Sequence, residues 1–269
     1  MGPHRRSFLK ASLAAAGAGG VMAVVPAGAA ASIAAPAPAA RERTVLCFGD
    51  SNTWGFVPRL EQGETRFGRY DASTRWPRVL EALMGPGVRV VEHGICGLVG
   101  AMKSGAARFE DGQSRAAIDH VQGLLSANWP VDELVVMLGT NDLAWPELAR
   151  AGPIAEGIVT TIRQGLASHD WLGGPAPAVT LVSPIPLGPA ARALGVAEEG
   201  LTRSRALAPA LAAAAKEAGW AFLDAAAAGE LDTEDGVHWS AAHHQRFARM
   251  LAEALTSPAD RRLPVAPRQ

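Results

Sequence analysis

Cysteine is scarce in this sequence, with two residues in 269, Cys47 and Cys96. Two thiols supply neither a disulfide framework nor a thiolate zinc site. Cys47 falls on an apolar run and Cys96 in a loop, and two free thiols are expected rather than a bridge. No charge of one sign dominates either: 25 Lys+Arg stand against 26 Asp+Glu. Residues 1–40 hold Arg5, Arg6 and Lys10 and no acid, so the remainder carries 22 basic against 26 acidic side chains, a balance of -4. Nucleic acid is therefore not an expected partner. A P-loop, a GxGxxG following a strand and the acidic spacing of a calcium loop are all missing, so no cofactor and no metal are inferred. The GxSxG elbow of the α/β-hydrolases is missing as well. There is no internal repeat, and 48% apolar residues suit a single globular domain with a sizeable core.

The first forty residues read as a processing segment. Arg5 and Arg6 head HRRSFLK, and an uncharged Ala/Gly-rich stretch follows from Ala11 to Ala31. That pattern is a twin-arginine export signal, with the export machinery as partner and a periplasmic or extracellular destination. Its Gly content and Pro26 leave it short of the ~20 apolar residues of a spanning helix. Small residues at Ala27, Ala29 and Ala31 place cleavage after Ala29 or Ala31. Residues 32–42, with Pro36 and Pro38, read as a disordered linker, 43–256 as the domain, and 257–269 as a flexible tail.

Within 43–256, short apolar runs at Val45–Phe48, Val88–Glu92, Leu134–Leu138, Val179–Val182 and Ala221–Leu223 alternate with helical stretches. The helices are predicted at Pro77–Met84, Arg115–Ser126, Ile154–His169, Arg203–Ala218 and Ala241–Leu255. Ser73 or Thr74 caps the first, and Ser240 caps the last. Strands separated by helices imply an α/β fold, a three-layer α/β/α sandwich on a five-stranded parallel sheet. Prolines 184, 186 and 189 with Gly188 and Gly195 predict one long loop over 184–202.

The first strand runs into Gly49, Asp50, Ser51, Asn52, Thr53, Trp54, Gly55, which sets a serine at the carboxyl edge of the sheet, where ligands bind in open α/β folds. A serine nucleophile needs a base and a group to orient that base. Asp235 and His238, three apart in a loop before the final helix, have the spacing for the carboxylate to accept the imidazole N–H. His93, near a strand edge, is the rival base; His243 and His244 are expected to be solvated. Acyl transfer also needs donors for a developing oxyanion. The Asn141 side chain in GTND and the amides of Gly97 and Ser51 are the candidates, with Asp142 as scaffold. Trp54, Ile95, Trp145 and Trp239 neighbour these motifs and are candidate pocket walls.

Together GDSNTWG, HGICG, GTND and DGVHW, in that order, resemble the four blocks of the SGNH (GDSL-type) hydrolases, nearest to the arylesterase and acyltransferase branch. The likeness spans about residues 43–256 and includes Arg75, Trp76 and VVMLGTND. It implies the flavodoxin-like SGNH fold, a triad of Ser51, Asp235 and His238, and an oxyanion hole of Ser51, Gly97 and Asn141. After Gly97 the branch commonly carries a polar run with Arg and Thr, where this chain has Leu98, Val99, Gly100. The apolar pair suggests a partly dry entrance. The implied activity is hydrolysis of small acyl esters, acetyl above all, of alcohols, phenols or sugars. Alternatives are acyl transfer to an alcohol and a non-catalytic carbohydrate-binding module on the same scaffold. The oligomeric state stays open, a homo-oligomer included.

Overall fold

The computed structural model describes residues 41–58, 68–109, 112–145, 148, 150–167, 173–231 and 233–256. The expected export signal, most of the linker and the tail lie outside the described residues.

Five parallel strands form one sheet in the order β2-β1-β3-β4-β5. They are β1 (Arg43–Gly49), β2 (Val88–Gly94), β3 (Glu133–Met137), β4 (Ala178–Ser183) and β5 (Ala221–Asp224). The helices are α1 (Ser51–Trp54), α2 (Trp76–Met84), α3 (Ile118–Ala127), α4 (Ala151–Ala167), α5 (Glu198–Ala218) and α6 (Ala241–Thr256). Side-chain alternation along β1 sends Leu46 and Phe48 to one face and Val45 and Cys47 to the other. The first face packs on α3, α4 and α5 through residues such as Val121, Ile158 and Leu211. The second packs on α2 and α6 through Leu80, Phe247 and Leu251. Both faces are thus covered, which is why β3 is buried at every position and, after Glu133, reads as a continuous apolar run. Among the described residues no helix is long and apolar enough to cross a membrane.

Several element boundaries differ from the sequence expectation. Segment 184–202 is not one loop: a 3-10 turn occupies Pro189–Leu194, and α5 already starts at Glu198. Glu198 and Glu199 sit in its first turn, where carboxylates favour the helix dipole. Helix α3 starts at Ile118 rather than Arg115, because Ala116 bridges Val99 and the Arg115 amide donates to the Ala107 carbonyl. Helix α4 starts three residues before Ile154, and His169 lies outside the described residues. Helix α2 is entered through Arg75, which makes no side-chain cap, in place of Ser73 or Thr74. At α6, Ser240 Oγ accepts the His243 amide hydrogen, as a cap does.

Candidate active site

The sheet order reverses beside β1, whose neighbours are β2 and β3, so a crevice opens at the carboxyl ends of β1 and β3. Ser51 follows β1 and Asn141 follows β3, and both therefore reach that crevice. Gly49 has to be glycine: a Cβ there would stand 2.1 Å from Thr53 Oγ1 and 2.7 Å from the Met137 carbonyl oxygen. The chain turns directly into the single turn α1, where Asp50 Oδ1 accepts the Asn52 amide hydrogen at 3.0 Å. Burial pushes the Asp50 carboxyl up to about 6, against the hydrogen bonds it accepts.

Against α1 lies the loop between β5 and α6. Asp235 Oδ1 accepts the amide hydrogens of Val237 and His238, each at 2.9 Å, and Oδ2 receives the His238 Nδ1 proton at 2.8 Å. The other ring nitrogen, Nε2, lies 3.0 Å from Ser51 Oγ. Burial raises the Asp235 carboxyl, but the bonds from the His238 ring and from the two amides outweigh it, and the net shift is downward. Asn52 clamps the loop on both flanks of His238: its Nδ2 donates to the Val237 carbonyl at 3.2 Å and its Oδ1 accepts the Trp239 amide at 3.0 Å. Phe56 stacks on the imidazole at 4.1 Å between centroids. Behind α1, Glu92 of β2 accepts from Arg75 at 2.5 Å and from Arg69 at 2.6 Å.

On the β3 side, Gly97 (φ +76) and Asn141 line a cavity of about 180 Å3 with Val99, Phe109, Arg115 and Trp145. Asn141 Nδ2 donates to the Leu98 carbonyl at 3.1 Å, which orients the amide and leaves its second N–H for another acceptor. The amides of Ser51 and Gly97 donate to no group among the described residues. Asp142, fully buried, accepts the Gly100 and Ala101 amides at 2.9 and 2.7 Å and so holds the loop after β2 against the turn after β3. Burial lifts this carboxyl to about 6.

Several sequence-derived assignments are corrected here. Trp239 is 1% exposed and packs on His243 and Phe247, so it belongs to the core and not to a pocket wall. Ile95 packs against the α3/α4/α5 side of the core, and Trp54 lies under the Arg69 guanidinium at 5.0 Å; neither lines the cavity. Leu98 is fully buried in the core, so only Val99 of that pair reaches the cavity. His243 and His244 are fully buried, not solvated: they pack on Trp239, and His244 Nδ1 accepts the Trp76 amide. His93 rests 6.0 Å from the Phe48 ring, and the imidazole bonded to Ser51 is that of His238. Cys47 and Cys96 are both free. Among the described residues no cluster of three or more His, Cys, Asp or Glu side chains is placed to hold a metal.

Phe56, Phe109 and Arg115 carry no motif signal, and Asn52 stands in one without its clamping role being readable. A serine hydroxyl bonded to an imidazole that is bonded to a half-buried carboxylate can pass its proton and attack a carbonyl.

Residues 47–246 match the profile of the GDSL-like Lipase/Acylhydrolase family. The chain belongs to this GDSL-like, or SGNH, hydrolase family. It is a carboxylic ester hydrolase. No protein with a curated description matches it in sequence. Among solved structures, the native aryl esterase of M. smegmatis is 31% identical with a TM-score of 0.70, over 79% of this chain and 98% of that one. A carbohydrate acetylesterase from Sinorhizobium meliloti is 28% identical with the same score and coverage. A putative arylesterase from Agrobacterium tumefaciens is 30% identical with a TM-score of 0.67, again over 79% and 98%. These hydrolases share the five-stranded parallel α/β sandwich.

Proposed function

We propose that this hydrolase cleaves small acyl esters, acetyl esters among them, of phenols, alcohols or sugars through an acyl-serine intermediate. The observation that carries the reading is the 2.8 Å and 3.0 Å relay from Asp235 through His238 to Ser51 Oγ at the carboxyl edge of the sheet. His238 Nε2 takes the Ser51 proton as Oγ attacks the ester carbonyl carbon. The carbonyl oxygen becomes an oxyanion, held by the amides of Ser51 and Gly97 and by the Asn141 side chain. His238 then gives the proton to the departing alcohol oxygen, and the C–O bond breaks. Water, deprotonated by the same imidazole, attacks the acyl carbonyl carbon, and the acyl–Oγ bond breaks as His238 returns that proton to Ser51 Oγ and the acid leaves. Asp235 remains ionised throughout, orienting His238 and stabilising its charged form.

The printed descriptions of the similar structures, an aryl esterase and a carbohydrate acetylesterase, support this substrate range. Hydrolysis is preferred to transfer because Leu98, expected to dry the entrance, is turned into the core. Export by the twin-arginine route belongs to the same proposal, supported by Arg5, Arg6 and the uncharged stretch to Ala31.

The test is release of acetate from p-nitrophenyl acetate and from a peracetylated monosaccharide, by wild type and by Ser51→Ala. Hydrolysis that vanishes with the hydroxyl supports the reading; a Ser51→Ala enzyme within tenfold of wild type sinks it.

A further inference from the structure

The relay gives the neighbouring cavity a direction. In a tetrahedral adduct on Ser51, the departing oxygen has to stand at His238 Nε2, which returns the proton to it. The oxyanion points to its donors, so the acyl substituent takes the direction that remains, away from His238. The cavity of about 180 Å3 is lined by Gly97 and Asn141 and by neither Ser51 nor His238, so it opens beside the oxyanion donors rather than beside the imidazole. At ~30 Å3 of liquid volume per water, it equals roughly six waters, more than an acetyl methyl fills.

Phe109 is the wall lying on Gly97. A Cβ on Gly97 would meet Phe109 Cζ at 2.4 Å, so the ring rests directly against the glycine. Although 47% exposed, the ring is held: the Arg115 guanidinium carbon lies 4.1 Å from its centroid. The Phe109 amide donates to the Gln113 carbonyl at 3.3 Å, and the Gly112 amide to the Phe109 carbonyl at 2.9 Å. The Val99 amide in turn donates to the Arg115 carbonyl at 2.7 Å, which stitches this hairpin to the strip just beyond Gly97. Trp145 adds a second aromatic wall residue.

Resting on the esterase reading above, we infer that this cavity takes the acyl portion of the ester and that Phe109 sets its length. The alcohol portion leaves past His238 and Phe56. The favoured acyl groups are those that extend between Val99, Phe109 and Trp145, up to about six carbons by volume.

The experiment is a kcat/KM series on p-nitrophenyl acetate, butanoate, hexanoate and octanoate with wild type, Phe109→Ala and Phe109→Trp. Phe109→Ala is expected to raise the octanoate-to-acetate ratio at least ~10-fold, and Phe109→Trp to lower the hexanoate-to-acetate ratio by a similar factor. A second series, acetyl esters of phenol, naphthol and cyclohexanol, is expected to keep its ranking in both variants. Equal factors at every acyl length, or a change confined to the alcohol series, overturn the assignment. The two readings fail differently: absence of Ser51-dependent hydrolysis takes down both, whereas intact hydrolysis with an unmoved length profile takes down only this one.

Discussion

On one bank of the crevice Ser51, His238 and Asp235 are joined by side-chain contacts of 2.8 and 3.0 Å, and Asn52 bonds both neighbours of His238. On the other bank Gly97 and Asn141 open onto a cavity walled by Phe109, whose ring is held by packing and one guanidinium. The difference follows from what each bank has to do. Proton transfer needs donor and acceptor within hydrogen-bond reach, so geometry there is tied by directional bonds. Fitting an acyl chain depends on shape and apolar area, which tolerate substitution more readily.

Breaking the first bank is expected to have the largest effect. Ser51→Ala or His238→Ala should each lower kcat by at least ~10^4, and the double variant little further, because the pair acts as one unit. Steady-state hydrolysis of p-nitrophenyl acetate measures this; additive losses would mean that the two residues act separately. Asn141→Ala, on the second bank, should cost roughly 10^2 to 10^3 in kcat with a smaller change in KM. A loss confined to KM would make that bank a binding surface only. Phe56→Ala removes the stack on the imidazole, worth ~0.5–1.5 kcal/mol, and should lower kcat by up to about tenfold with KM nearly unchanged. A KM effect alone would move Phe56 from positioning His238 to contacting substrate.

The smallest effect concerns the floor beneath the first bank. Burial, with repulsion from His243 and Arg75, lowers His244 to about 3. A base depressed in the fold favours its neutral form, so its contribution is complete above the unfolded value of ~6.5 and is lost as pH falls toward about 3. Asp50 and Asp142, raised to about 6, act oppositely: their contribution is present in acid and lost as pH rises through about 6. A comparison with His244→Asn cancels those two carboxyls. The Tm of the variant relative to wild type should therefore improve steadily between pH 7 and pH 5; a gap constant over that range would contradict the depressed value.

The same two banks separate what is legible in the sequence from what is not. Ser51, Asp235 and His238 stand inside GDSNTWG and DGVHW, and the apolar runs of all five strands are short, evenly interleaved with helices and bounded by Gly or Pro. Phe56 and Phe109 lie between blocks, and their places depend on the bridges Phe56 to Arg69 and Arg108 to Ser114, which no local periodicity announces. His243 and His244 look polar and near a helix start, but α6 lies against α2 and Trp239, so adjacent positions are both covered. The start of α5 is obscured by the prolines 184, 186 and 189 with Gly188 and Gly195, although Glu198 and Glu199 carry the first-turn signal. Trp239 follows His238 directly, yet its amide is drawn to Asn52 and its ring turns inward, a direction that sequence adjacency does not reveal.

The central claim is that Ser51 Oγ carries the acyl group. Labelling with a fluorophosphonate ester, followed by peptide mass spectrometry, locates the reactive hydroxyl directly. The expected result is one adduct, on the peptide bearing Ser51, formed in parallel with loss of esterase activity, absent in Ser51→Ala and much slower in His238→Ala. An adduct on another residue accompanying inactivation, or full inactivation with Ser51 unmodified, would contradict the account.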